Sequence, residues 1–228
     1  MRQQMSPQVT SYHHGDLRPA LIDAALDLAR EGGPGGLRLR EITRAAGVTP
    51  NAAYRHFEDL DALVLAAAQV AQHRLAAAMR EQIDALLADA DADAGAAGAA
   101  VTRLRGVGLG YIHFAIAEPG WFELALLTFD QHASGEPTVT VDAQVPPPFQ
   151  LLLDALDDMA AASVLTPQER VDAEWPCWSA VHGFADMATR GPLKHQAPEV
   201  LSALGAHVVD RIIAGISQPV AASESAEP

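Results

Sequence analysis

LRLREITRAAGVTPNAAYRHFEDLDAL, residues 37–63, decides the fold. Leu39, Ile42 and Ala46 recur at helical spacing and mark a short helix that Gly47 closes. Thr49-Pro50 restarts a helix, since Thr suits the cap and Pro tolerates the first helical position, and this second helix runs to about Phe57. Gly47 stands where two helices meeting at an angle need a residue able to take positive φ, and Val48 plugs the angle between them. The amides that open the second helix face outward, where helix N-termini bind phosphate. This is a helix-turn-helix pattern, and Pro50 to Phe57 is the helix expected to enter a DNA major groove, N-terminal residues nearest the base edges.

The flanks give the architecture. Ahead of the motif, Asp16 is placed to cap a helix carrying Leu21, Ile22, Ala25, Leu26, Leu28 and Ala29 on its apolar side, stopped by Gly32-Gly33-Pro34-Gly35-Gly36. Behind it, an apolar stripe from Leu60 to Leu86 continues without Pro or Gly and predicts one long helix. The Ala/Asp/Gly segment 88–100 reads as a frayed end and loop, followed by helices over about 101–117 and 121–129, broken at Pro119-Gly120. Residues 130–148 hold Thr138-Val139-Thr140-Val141 among Gly and Pro, a strand-like run with no second run to pair with, and read as a long loop. Helices over about 149–163, 167–190 and 198–216 complete an all-α fold: a three-helix helix-turn-helix head with an N-terminal arm over 1–60, a larger helical domain over 61–218, and a disordered tail, 219–228.

Composition bounds the function. The chain has 228 residues, 49% apolar and 19% charged, which suits a soluble globular protein rather than a disordered or membrane-spanning one. The single cysteine, Cys177, excludes an internal disulfide and a cysteine-based zinc site, and the polar start MRQQMSPQ has no signal-peptide core, so the expected compartment is the cytoplasm. A net charge of −14 argues against a nucleic-acid partner until its distribution is read. Residues 1–60 balance seven Arg against seven acids, so the whole negative excess lies in the larger C-terminal part. Such asymmetry suggests two tasks in one chain.

SYHHGDLRPALIDAALDLAREGG together with the motif, residues 11 to about 70, resembles the DNA-binding domain of the TetR family of transcriptional regulators. Helix-turn-helix, the Tyr54-x-His56-Phe57 end and the long following helix occur in that family's order. YHHGDLR at 12–18, Trp178 to Phe184 (WSAVHGF) and Tyr111-Ile112-His113-Phe114-Ala115 with Pro119 and Phe122 resemble the branch whose C-terminal region is called the WHG domain. The resemblance implies that Thr49, Tyr54 and His56 contact phosphate and that Pro50, Asn51 and Ala52 lie nearest the bases, where Asn51 can pair with an adenine edge. Arg40, Arg44 and Arg55 are candidate backbone neutralisers, with His13, His14 and Arg18 supporting the arm and first helix. Ala52 and Leu60 stand where many relatives have Thr and Lys, so this head is expected to bind more weakly or to lean on Arg38 and Arg55. Arg38 replaces the Ser or Thr cap common in relatives, a loss of about 1 kcal/mol.

The same resemblance implies a larger domain that binds a small-molecule effector and forms a homodimer. Tyr111, Phe114, Trp121, Phe122, Trp175, Trp178 and His182 are its candidate ligand-binding residues, on helices where aromatic side chains equally build a core. Asp154, Glu174 and His113 are further polar groups able to orient a ligand. Leu201, Leu204, Val208, Ile212 and Ile216 form a stripe that suits either a two-fold four-helix interface or burial within one subunit. The long helix from Leu60 is expected to be the single continuous element able to carry a change at the effector site to the head.

The expected function is therefore that of a ligand-responsive DNA-binding regulator, a repressor released from a double-stranded operator by a small apolar or aromatic effector. No cofactor, metal site, catalytic residue or membrane partner is expected. The alternative is a helical small-molecule-binding protein or enzyme that keeps the head for structure, and a third class is a constitutive architectural DNA binder. Operator footprinting separates the first from the second, and effector-dependent release separates it from the third.

Overall fold

The computed structural model describes residues 17–90, 92–130 and 145–217. The expected N-terminal arm with His13, His14 and the Asp16 cap, the Thr138–Val141 run and the tail 219–228 lie outside these residues. Ten α-helices and two short 3₁₀ turns make up the described part, with no strand. The head holds α1 (Leu17–Gly32), α2 (Leu39–Ala45) and α3 (Pro50–Ala53). The long helix α4 (Leu60–Asp89) follows, then α5 (Gly95–Ala117), α6 (Pro119–Asp130), α7 (Pro147–Ala161), α8 (Pro167–Arg170), α9 (Glu174–Thr189) and α10 (Pro198–Ile216).

Local chemistry explains where these elements begin. Asp59 caps α4, its carboxylate accepting from the Ala62 amide at 2.8 Å, a contact of the kind worth about 1 kcal/mol. The helix α5 starts at Gly95, ahead of the expected 101, because the alanines of the low-complexity segment propagate helix well and leave only a short break after α4. Pro147 and Pro148 open α7 two residues early, since first-turn amides have no intrahelical acceptor and their absence is harmless. The expected single helix over 167–190 is instead two. Thr166 and Glu169 form a reciprocal capping box for α8, and Asp172 adopts φ 58°, turning the chain before α9 begins. Arg170 ties that corner to Asp157 of α7 and Glu174 of α9.

Two apolar clusters hold the molecule together. The head cluster joins Leu21, Leu26 and Ala29 of α1 to Ile42, Phe57 and the first half of α4, and it also takes in Leu124 and Ala125 of α6. The larger cluster is built on α5, with Leu75, Met79 and Ile83 of α4 and residues of α6, α7, α9 and α10. Gly106 and Gly110 of α5 lie so close to α4 that a Cβ at either would come within 2.8 Å of the Ile83 Cα or 2.6 Å of the Met79 Cα. Trp121 of α6 packs against both clusters. On α10 the expected stripe divides: Leu201 turns inward with Gly205, Val209 and Ile213, whereas Leu204 is exposed and Val208, Ile212 and Ile216 are only partly covered.

Candidate nucleic-acid interface and effector site

The turn between α2 and α3 has the geometry that the sequence predicts. Gly47 takes φ 71°, the Val48 amide donates to the Thr43 carbonyl at 2.8 Å, and Thr43 is itself buried with its hydroxyl on the Leu39 carbonyl at 2.9 Å. The regular part of α3 is only Pro50–Ala53; hydrogen-bonded turns carry it on to the Phe57 amide, which donates to the Ala53 carbonyl at 3.0 Å. Inward-facing Ala46, Ala53 and Phe57 anchor the pair. On the opposite side Arg40, Arg44, Thr49, Pro50, Asn51, Arg55 and His56 are all exposed, and Ala52 is partly so. Thr49 has the extended backbone of a cap, φ −84° and ψ 154°, but its hydroxyl makes no capping bond. Tyr54 leaves 56% of its surface in solvent, unusual for an aromatic residue in a chain with few of them.

Two arginines have structural partners that the sequence did not reveal. Arg18 of α1 donates to the His56 carbonyl at 2.9 Å and lies 4.4 Å from the Phe57 ring centroid, so it fastens the end of α3 to α1. Arg38 precedes α2 without a side-chain cap, as expected, and its Nη1 donates back to the Leu37 and Gly35 carbonyls at 2.8 and 3.1 Å. It borders the groove formed with Arg40, Pro50 and Tyr54.

The aromatic residues of the larger domain are gathered around Tyr111, which is 1% exposed. Its ring meets Phe122 edge-on at 5.3 Å and Trp178 at 5.2 Å, while Trp178 stacks on His182 with rings 5.8 Å apart and 9° from parallel. The Tyr111 hydroxyl and His182 Nδ1 are 2.9 Å apart. Burial raises the Tyr111 pKa above its ordinary value, so the hydroxyl stays protonated, and the imidazole tautomer sets which of the two partners donates. Burial also lowers the His182 pKa, opposed by nearby Asp186 and reinforced by Arg190. Phe149 of α7 extends the cluster, 5.3 Å from Trp178 and 5.9 Å from Trp175, which is itself 54% exposed. A small apolar cavity of about 20 Å³ adjoins Tyr111, Trp178, Cys177 and Val181, little more than room for one water. Cys177 is buried and its thiol is pushed up to about 12, chiefly by desolvation and then by Glu174, which leaves it an inert apolar side chain.

Tyr111, Phe122, Trp178 and His182 thus come together, and Phe114 lies buried in the same core without a ring pairing to them. Trp121 sits elsewhere. Its Nε1 donates to the Leu26 carbonyl of α1 at 2.8 Å, and the guanidinium groups of Arg30 and Arg74 lie 4.8 and 4.2 Å from its ring centroid. Arg30 also makes a two-pronged ion pair with Glu118. The helix α6 is therefore a second bridge between the clusters, and α4 is not the single route expected from sequence. Gln72 strengthens this bridge, donating to the Ala125 carbonyl at 3.3 Å from a buried position on α4. Of the polar candidates, His113 pairs with Gln82 at 3.1 Å, Asp154 with Gln150, and Glu174 with Arg170.

Comparison with known proteins gives two family matches, one to each part of the chain. Residues 21–67 match the model described as bacterial regulatory proteins, tetR family, and residues 104–212 match the tetracyclin repressor-like C-terminal domain. An uncharacterized HTH-type transcriptional regulator of Haemophilus influenzae is 49% identical over 49 residues, which is 21% of this chain and 24% of that protein's own length. Among solved structures, a protein of unknown function from Rhodococcus sp. RHA1 is 26% identical, with 92% of this chain and 100% of that one covered at a TM-score of 0.69. The transcriptional regulator FadR from Bacillus subtilis, solved in complex with stearoyl-CoA, is 16% identical, covering 86% and 98% of the two chains at a TM-score of 0.56.

Proposed function

The chain belongs to the TetR family of bacterial regulatory proteins, and from that membership we propose a homodimeric repressor that leaves a near-palindromic operator when a small apolar or aromatic effector binds. The observation that carries DNA binding is the outward face of α3, where Tyr54, Asn51, Arg55 and His56 stand exposed on a pair of helices locked from within. A merely structural head has no reason to leave a tyrosine so exposed. A DNA partner supports a cytoplasmic location. Separately, no helix among the described residues is long and apolar enough to cross a membrane.

The effector is assigned to the Tyr111–Phe122–Trp178–His182 cluster. A ligand of ordinary size needs several hundred Å³, so the small cavity beside the cluster is the closed arrangement and binding must separate α5, α7 and α9. Such a shift reaches the head through both bridges, α4 and the seam of α6 on α1. FadR, solved with an acyl-CoA, supports a ligand-responsive role for this architecture. The Tyr111–His182 pair is assigned to orienting the effector, and burial disfavours the phenolate form of Tyr111. Dimerisation is assigned to the outer faces of α9 and α10, where Met187, Val200 and Leu204 lie exposed beside partly covered Val208 and Ile212.

Genomic fragments retained by the immobilised protein test this reading, followed by footprinting of the best. A protected near-palindrome with half-sites about one helical turn apart, roughly 34–36 Å, is the expected result. Failure to retain any fragment above a scrambled control refutes it.

A further inference from the structure

A second cavity lies on the head-facing side of the aromatic cluster and shares Trp178 and His182 with it. Four segments border an open cleft of about 720 Å³: the Pro34–Arg38 loop of the head, the start of α4, the α6 segment from Glu123 to Leu127, and α9 from Trp178 to its C-terminal Arg190. Its size falls within the range of small-molecule sites, in contrast to the nearly filled cavity beside Tyr111. Leu37, Leu60, Val64, Leu126, Leu127 and Trp178 give it an apolar wall. We propose that this cleft binds a small amphipathic monocarboxylate whose anionic group sits on Arg38.

The charges decide the ligand class. Arg190 is already engaged by two carboxylates, Asp186 and Glu123, which more than offset its charge. Arg38 makes no ion pair among the described residues. Its Nη1 is tethered to two backbone carbonyls, which fixes the guanidinium while Nε and Nη2 have no partner among the described residues. A held guanidinium with one free edge is suited to a two-pronged carboxylate contact. His182 also lines the cleft, and with its Nδ1 taken by Tyr111 its Nε2 is the ring nitrogen left to face an occupant. Arg38 is therefore the uncommitted cation of the lining, and Asp61, exposed in the first turn of α4, its uncommitted anion among the described residues. The Arg190 trio keeps a net charge of −1 and Asp61 offsets Arg38, so a carboxylate is held by its local two-pronged contact with Arg38 and not by the overall charge of the cleft, and a dianion is disfavoured.

Arg38 also borders the groove containing Arg40, Pro50 and Tyr54, so an occupant neutralising it withdraws positive charge from the edge of the DNA-reading face. This last link rests on the DNA-binding reading; the site itself does not.

Isothermal titration of the full chain with naphthalene-2-carboxylate and its uncharged analogue naphthalene-2-methanol tests the site without DNA. The carboxylate should bind about tenfold tighter than the alcohol, the order of a charge-assisted hydrogen-bonded pair. Arg38→Gln, at an exposed position, should abolish that advantage and leave the alcohol unchanged, while Val64→Trp should weaken both probes. Absence of carboxylate binding overturns the proposal. So does a carboxylate preference that survives Arg38→Gln, because binding is then elsewhere. Loss of operator recognition in a separate shift assay bears only on the DNA-binding reading.

Discussion

At the scale of single residues, the head separates side chains that hold it together from those that remain available to a partner. Asn51→Ala is expected to cost about 1–3 kcal/mol in operator binding and to relax preference at one base position. Arg55→Ala should weaken all sequences alike and reduce the salt slope by about one unit. Competition shift assays at several salt concentrations distinguish the two, and wild-type behaviour of both removes α3 from the groove. Gly47→Ala should destabilise the head by about 1–2 kcal/mol because a Cβ is strained at φ 71°, and Gly47→Asn should recover part of it in chemical denaturation. His182 supplies a pH effect. Its folded pKa lies below the ordinary 6.5, so the unfolded chain takes up a proton first. Its stabilisation is complete above about pH 6.5 and is lost as pH falls through that value toward the folded pKa, with His113 acting in the same direction. The melting temperature should fall between pH 7.5 and 5.5, and His182→Gln should flatten that fall; an unchanged slope means that His182 is not the sensor.

The elements show which parts of this arrangement can be read in the chain. The pair α2 and α3 was legible because its determinants lie within a few residues: a periodic apolar face, a glycine at the turn, and Thr-Pro at the restart. The seam of α6 on α1 was not. Trp121 follows Pro119-Gly120 in a run of apolar residues that suits a pocket equally well, and its partner, the Leu26 carbonyl, is 95 residues away. Local pattern also misses the corner at Asp172, since the positive φ there is supported by Arg170 reaching two other helices. The stripe on α10 was found as a stripe, but its two faces differ by one helical position, and only packing tells Leu201 from Leu204. Replacing Leu204 and Val208 with Glu should therefore yield a folded monomer, read by light scattering together with circular dichroism; a folded dimer moves the interface elsewhere.

For the whole molecule, an effector can release DNA only by its differential affinity for the two arrangements of the heads. A tenfold loss of DNA affinity requires about 1.4 kcal/mol of coupling, and DNA must then weaken the effector by the same factor. Titrating an aromatic ligand against tryptophan fluorescence with and without operator measures that reciprocity, and equal affinities in the two titrations rule the switch out. Trp121→Phe, which keeps the ring and deletes the bond to Leu26, should reduce the coupling while leaving each ligand's separate affinity near wild type. The closest approach between the elements linking the two parts is set by α5. Where α4 crosses it, Gly106 and Gly110 present bare backbone, with Ile83 and Met79 lying directly on it. Most helix pairs interlock through side-chain ridges that resist sliding along the axis. Here one side has no teeth and the two backbones meet flush, so any side chain added at Gly106 or Gly110 is a wedge that must push α4 off α5.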